Sequence, residues 1–100
     1  MHIKILDSRI PVKFVGKNHE DDNDEHVTLG HYIPMDNEIS IFVTKPEVQR
    51  AVLVHEIVEA VDHLCDLGLN HTQITTLGTA INQLLIENPA FKKLYDKNVK

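Results

Sequence analysis

Residues 54–63 read Val54-His55-Glu56-Ile57-Val58-Glu59-Ala60-Val61-Asp62-His63. Six ionisable side chains fall between residues 55 and 66: His55, Glu56, Glu59, Asp62, His63 and Asp66. At ~100° per residue, all six share roughly a third of a helix circumference. Leu53, Ile57, Val58, Val61, Leu64 and Cys65 fill the remainder. The spacing predicts a helix with a wide apolar arc for a core and a stripe of carboxylates and imidazoles opposite.

Two features separate this stripe from an ordinary solvated face. No Lys or Arg occurs from residue 51 to residue 91, so its four carboxylates have no cationic neighbour in sequence. Like charges at i, i+3 and i, i+4 repel mildly, and an unpaired cluster of carboxylates and imidazoles is what a cation site requires. The broad apolar arc also makes the helix central, so its stripe faces either solvent or an internal cleft. Spacing then restricts the ligand sets. His55 and Glu59, at i and i+4, project together ~6 Å apart along the axis. His55 and His63 stand ~12 Å apart, too far to share one ion with bonds of ~2 Å. His63 therefore competes with His55, and the alternative pair is Glu59 with His63.

Working outward, residues 38–43 alternate cleanly, with Ile39, Ile41 and Val43 on one face of a strand. Pro34-Met35-Asp36-Asn37 joins it as a turn to a weaker strand at 27–33. Residues 2–6 and 10–15 are short β-branched runs about a turn at Asp7-Ser8-Arg9, with Pro11 marking a strand start or an edge. Thr44 and Glu47 have the spacing of a capping box, with Pro46 in the first turn. The helix is expected to run to about Leu67 and stop at Gly68. Asn70 with Gln73 opens a second helix to about Glu87, with Ile74, Leu77, Gly78, Ile81, Leu84 and Leu85 on one face. Asn88-Pro89 starts a short third helix. The order predicts an α+β fold: an N-terminal antiparallel sheet of about four short strands, then two long packed helices and a short C-terminal one.

His71 stands in the first turn of the second helix, on the stripe of 74, 78, 81 and 85 that points inward. The positive end of the helix dipole favours its neutral form, which is the form that binds metal. The competing reading is a helix-start histidine donating to a carbonyl. Chain reversal at Gly68 places His71 near the end of the first helix, which favours Glu59 and His63 as its neighbours over His55.

One hundred residues make one domain with a modest core. A net charge of −5 argues against nucleic acid and anionic membrane as partners. A single cysteine, Cys65, permits no internal disulfide, and its place on the apolar arc predicts a buried thiol. The N-terminus lacks the apolar run of a signal peptide and no stretch nears ~20 apolar residues, so a cytoplasmic protein is expected. Five of the six residues 20–25 are acidic; the order of an EF-hand loop is absent, and a solvated loop is expected there. His31 and Tyr32 are expected to be ordinary hairpin residues.

His55-Glu56-x-x-Glu59, followed by Leu69-Asn70-His71-x-x-Ile74-x-x-Leu77, resembles the core of small phage and prophage proteins of zincin-like type. The resemblance covers about a third of the chain. It implies a metal ligand at His55, a general base for the attacking water at Glu56, a second ligand at Glu59 and a third at His71, with His63 as competitor. The family pattern has histidine where this chain has Glu59. Two imidazoles and a carboxylate bind Zn2+, and also suit Fe2+ or Mn2+. The expected function is a small metal-binding protein, and further a metal-dependent peptidase acting on a peptide laid along strand 38–43. The alternative is a non-catalytic phage accessory protein, working in the host cytoplasm by binding a host protein. A plain oligomeric structural domain is the third reading.

Overall fold

The computed structural model describes residues 1–16 and 29–98. The acidic stretch 20–25 and the first residues of the expected strand at 27–33 lie outside them. Four strands come first: β1 (His2–Ile5), β2 (Ser8–Val15), β3 (Gly30–Ile33) and β4 (Glu38–Phe42). Three helices follow: α1 (Pro46–Cys65), α2 (His71–Glu87) and α3 (Pro89–Asn98). The fold is α+β, as the element order implies. Among the described residues no helix is long and apolar enough to cross a membrane.

The sheet is mixed rather than wholly antiparallel, in the order β1-β2-β4-β3. β1 pairs antiparallel with β2, and β3 antiparallel with β4, but β2 and β4 run parallel, Val12 opposite Ile39 and Phe14 opposite Ile41. A parallel pair needs a crossover rather than a tight turn. The long segment between β2 and β4 provides one, and it carries β3 to the far side of β4. β4 is therefore central, and β3 is an edge.

β2 begins at Ser8 and runs straight through Pro11. Val12 N–H donates to Met1 O at 2.8 Å, so His2 and Pro11 face each other without sharing a hydrogen bond. Pairing with β4 starts one residue later, at Val12. The missing proline N–H thus costs neither ladder anything.

The core forms where one face of the sheet meets α1. Ile10, Val12, Tyr32, Ile39, Ile41 and Ala60 are its buried members, with Val52, Leu53, Ile57 and Leu64 packed against them. Gly30 lies directly beneath α1: a Cβ there would meet Val52 Cγ1 at 2.6 Å. Val43, expected on the inward face, is half exposed because the strand ends at Phe42.

Both ends of α1 differ from expectation. Lys45, not Thr44, is the N-cap, and it makes no side-chain capping bond. Pro46 at the first helical position forces the preceding residue into extended backbone, and Lys45 has φ −61 and ψ 140. Gln49 substitutes, its Oε1 accepting from Thr44 N–H at 2.8 Å. The helix stops at Asp66 rather than Gly68. Asp66 is left-handed (φ 52), its N–H donates to His63 O and that of Leu67 to Asp62 O. This is a Schellman ending, which Asp tolerates better than most residues. Cys65, on this last turn, is exposed and not buried. The Asn70–Gln73 capping box of α2 is present as expected, at 2.8 and 2.9 Å. Of the apolar face expected for α2, only Ile74 and Gly78 are buried.

Candidate metal centre

His55, Glu56 and Glu59 each direct a ligand atom toward the others, all within 4.8 Å of one another. α1 sets this arrangement. The i, i+4 spacing stacks His55 over Glu59, with Nε2 3.9 Å from Oε1. Glu56 is one residue round the helix from His55, between the stripe and the core, and is only 5% exposed. An ion with ~2.1 Å bonds would draw such atoms to ~3.4 Å separation, which requires only side-chain adjustment. The group could hold a metal ion.

Glu56 is the unusual member. Its Oε1 is buried and has no hydrogen-bond partner. Burial pushes the Glu56 carboxyl up to about 7 from its ordinary 4.5; the neighbouring Glu59 carboxylate adds to the rise, and the Tyr32 backbone N–H works against it. A buried carboxylate without a counter-charge is costly. A cation between Glu56 and Glu59 would remove both the desolvation and the repulsion, so the residues present fit a metal.

Helix α2 closes one side. A Cβ at Gly78 would stand 3.2 Å from His55 Cα, so the two backbones approach closely at that level. The His71 ring lies beside the His55 ring, with centroids 6.1 Å apart. Two imidazoles on one ion would have centroids about 5 Å apart. His71 therefore stands beside the group without belonging to the three converging residues, and its neighbour is His55, not the expected Glu59 and His63. The tight crossing at Gly78 accompanies this difference. His63 is exposed and packs against the Tyr32 ring at 5.9 Å. Asp62 is committed to structure: its Oδ1 accepts from Leu69 N–H at 2.8 Å.

A cleft of about 340 Å³ opens beside His55 and Glu56, with Gly30 on the β3 side and Gly78, Thr79 and Asn82 on the α2 side. A second, of about 320 Å³, contains Glu59, Asp62, His63 and Asp66 beside Tyr32. The metal group thus lies between two clefts, one more apolar and one acidic.

Tyr32 proves more than an ordinary hairpin residue. It is buried, its backbone reaches Glu56, and its hydroxyl donates to Asn37 Oδ1 at 2.6 Å. His31 alternates outward and meets Phe42 edge-on. Period-two alternation would have placed Gly30 and Tyr32 together on the inward face. Thr79 and Asn82 carry no such signal, since only the helix crossing brings them to the cleft. No family model, curated protein or solved structure matches this chain, so the chemistry of the centre is argued from its geometry.

Proposed function

We propose that this chain is a small metal-binding protein of zincin-like type, and that it hydrolyses a peptide or related amide. The observation that carries the metal is Glu56, whose Oε1 is buried and unpartnered and whose carboxylate offers an oxygen within ligand reach of His55 and Glu59. His55 and Glu59 hold the cation, and His71 completes the set by a rotation toward His55. Mixed nitrogen and oxygen donors favour Zn2+, with Fe2+ or Mn2+ as competitors. A cation there supplies Lewis acidity. Glu56 stands beside the cleft with its carboxylate placed to accept a proton from the attacking water, as a general base does, and its raised affinity for that proton suits the role near neutral pH. Gly30 and Gly78 let β3 and α2 approach α1 closely on either side of the cleft.

Peptide placement follows the corrected topology. β4 is paired on both sides and offers no free ladder. β3 is an edge, and Gly30 lines the cleft beside His55 and Glu56. An extended peptide added to that edge would cross the centre.

The test is metal content and affinity of the purified protein beside His55→Ala, Glu59→Ala and Glu56→Gln. Stoichiometric metal in the wild type, lost in the first two, supports the reading; absence from all proteins refutes it. Glu56→Gln that binds metal more weakly, yet at saturating metal still loses peptide hydrolysis, marks Glu56 as base. The alternative is a non-catalytic phage accessory protein binding a host protein. It is favoured by Glu59, whose negative charge weakens the Lewis acidity of a bound cation. It predicts that Glu56→Gln leaves biological activity intact.

A further inference from the structure

The apolar surface shared by α2 and α3 has no use in the metal centre. On α2, Leu77, Ile81, Leu84, Leu85 and Ile86 remain partly exposed, and on α3 so do Phe91, Leu94 and Tyr95. Their exposures run from 37 to 65%. Positions 77, 81, 84 and 85 are spaced i, i+4, i+7, i+8, which makes one helical stripe. Phe91 and Tyr95 continue it, with ring centroids 5.2 Å apart. The patch runs on into a groove of about 590 Å³ that reaches Leu53, Val54 and Ile57 of α1. Nothing among the described residues covers it.

We propose that a second copy of this chain packs on this face, forming a two-fold dimer through α2 and α3. Three observations select that occupant. The first is area. At about 200 Å² for a whole large residue, the exposed fractions, leaving out Ile86 on the far side of α2, amount to roughly 650 Å². That falls within the ~600–1,000 Å² each partner contributes to a standard interface, and is larger than the usual apolar patch of a monomer. The second is charge. Residues 71–86 contain no Asp, Glu, Lys or Arg. A two-fold contact packs the stripe against its own copy, so a stripe charged with one sign would repel itself, whereas this one does not. An uncharged stripe also gives a strongly charged partner nothing to pair with. At its end the patch carries both signs, Glu87 and Asp96 with Lys92 and Lys93, so no single-sign field opposes a second copy there. The third is the acidic segment 17–28, whose single apolar residue, Val27, is too little to cover the face.

Sedimentation equilibrium of the full chain tests the dimer. At about 100 μM, where even a Kd of tens of micromolar gives mostly dimer, the wild type is expected at twice the 11.4 kDa chain mass. Leu84→Lys is expected to raise the dimer dissociation constant roughly 30-fold or more, the loss expected of a central contact. Its far-UV circular dichroism should be unchanged. Should that variant fail to fold, Leu94→Lys, more exposed on α3, gives the same readout. Met35→Lys, at the exposed β3–β4 turn, is expected to leave the dimer intact. A wild type at single-chain mass at that concentration overturns the proposal, even if another protein binds the face. A dimer that survives both charged variants, or that Met35→Lys dissolves equally, overturns it as well.

Discussion

In metal-free protein, Glu56→Gln should stabilise the fold at neutral and higher pH and do little in acid. Glu56 is raised from 4.5 to about 7 in the folded chain, chiefly by burial. The folded state therefore holds a proton that the unfolded state has released, and stability falls as pH rises between those two values. Below about pH 4.5 both states are protonated and the cost vanishes. Above about pH 7 it is fully present. At ~1.4 kcal/mol per pKa step, the climb corresponds to about 3 kcal/mol. Glutamine has nearly the same shape, does not titrate, and can donate an N–H to Glu59. Urea unfolding with a chelator present, from pH 4 to pH 8, measures the difference. With m near 1.5 kcal/mol per molar, the variant midpoint should exceed the wild type by about 2 M at pH 8 and by little at pH 4. Excess Zn2+ should reverse the order at pH 8, since only a ligand that binds the folded state adds RT ln(1 + [L]/Kd). Parallel pH curves for the two proteins would refute the reasoning, because Glu56 would then be paired or solvated.

Other outcomes follow from the same packing. Gly78→Ala should destabilise the protein by about 1 kcal/mol despite the better helix propensity of alanine, because the added methyl meets the His55 backbone rather than a flexible side chain; thermal unfolding checks the sign, and metal titration should show weaker binding. Gly30→Ala should cost more, roughly 2 kcal/mol, since its Cβ would overlap Val52 and crowd Ser40 O; an unchanged urea midpoint would contradict the contact. Asn70→Ala removes the capping box of α2 and should cost about 1 kcal/mol, seen as a lower melting temperature. Tyr32→Phe leaves Asn37 Oδ1 without its donor and should cost about 1 kcal/mol by the same measurement.

Periodicity made the elements legible. The α1 stripe, the alternation in 38–43 and the Asn70–Gln73 pair each carry a local signal, and the structure has the helix, the strand and the cap. Strand order did not show, because the parallel β2–β4 pairing depends on a crossover and not on any local pattern. The α1 ends were misplaced for a local reason that outweighed a commoner one: Pro46 fixed Lys45 as the cap ahead of Thr44, and Asp66 took the left-handed position ahead of Gly68. The buried face of α2 was over-read. Helical spacing identifies an apolar stripe but not what lies against it, and here only Ile74 and Gly78 meet α1 closely enough to be buried.

The candidate site divides in the same way. His55 and Glu59 were legible because i, i+4 is a property of one helix. Glu56 was named only through the resemblance, as a base; its isolation needs α1, β3 and α2 together, and its position next to His55 gives no hint of that. That isolation makes Glu56 informative. A residue serving only the fold would do better there as glutamine, which fills the same space without a charge to desolvate. The carboxylate costs stability wherever it is ionised and unpaired, and it becomes favourable when a divalent cation lies between it and Glu59. The sign of its contribution therefore depends on metal, whereas the contributions of Gly78, Gly30 and Asn70 do not. A metal-dependent change of sign at position 56, beside constant effects at those three, would separate a built cation site from a mere defect in the core.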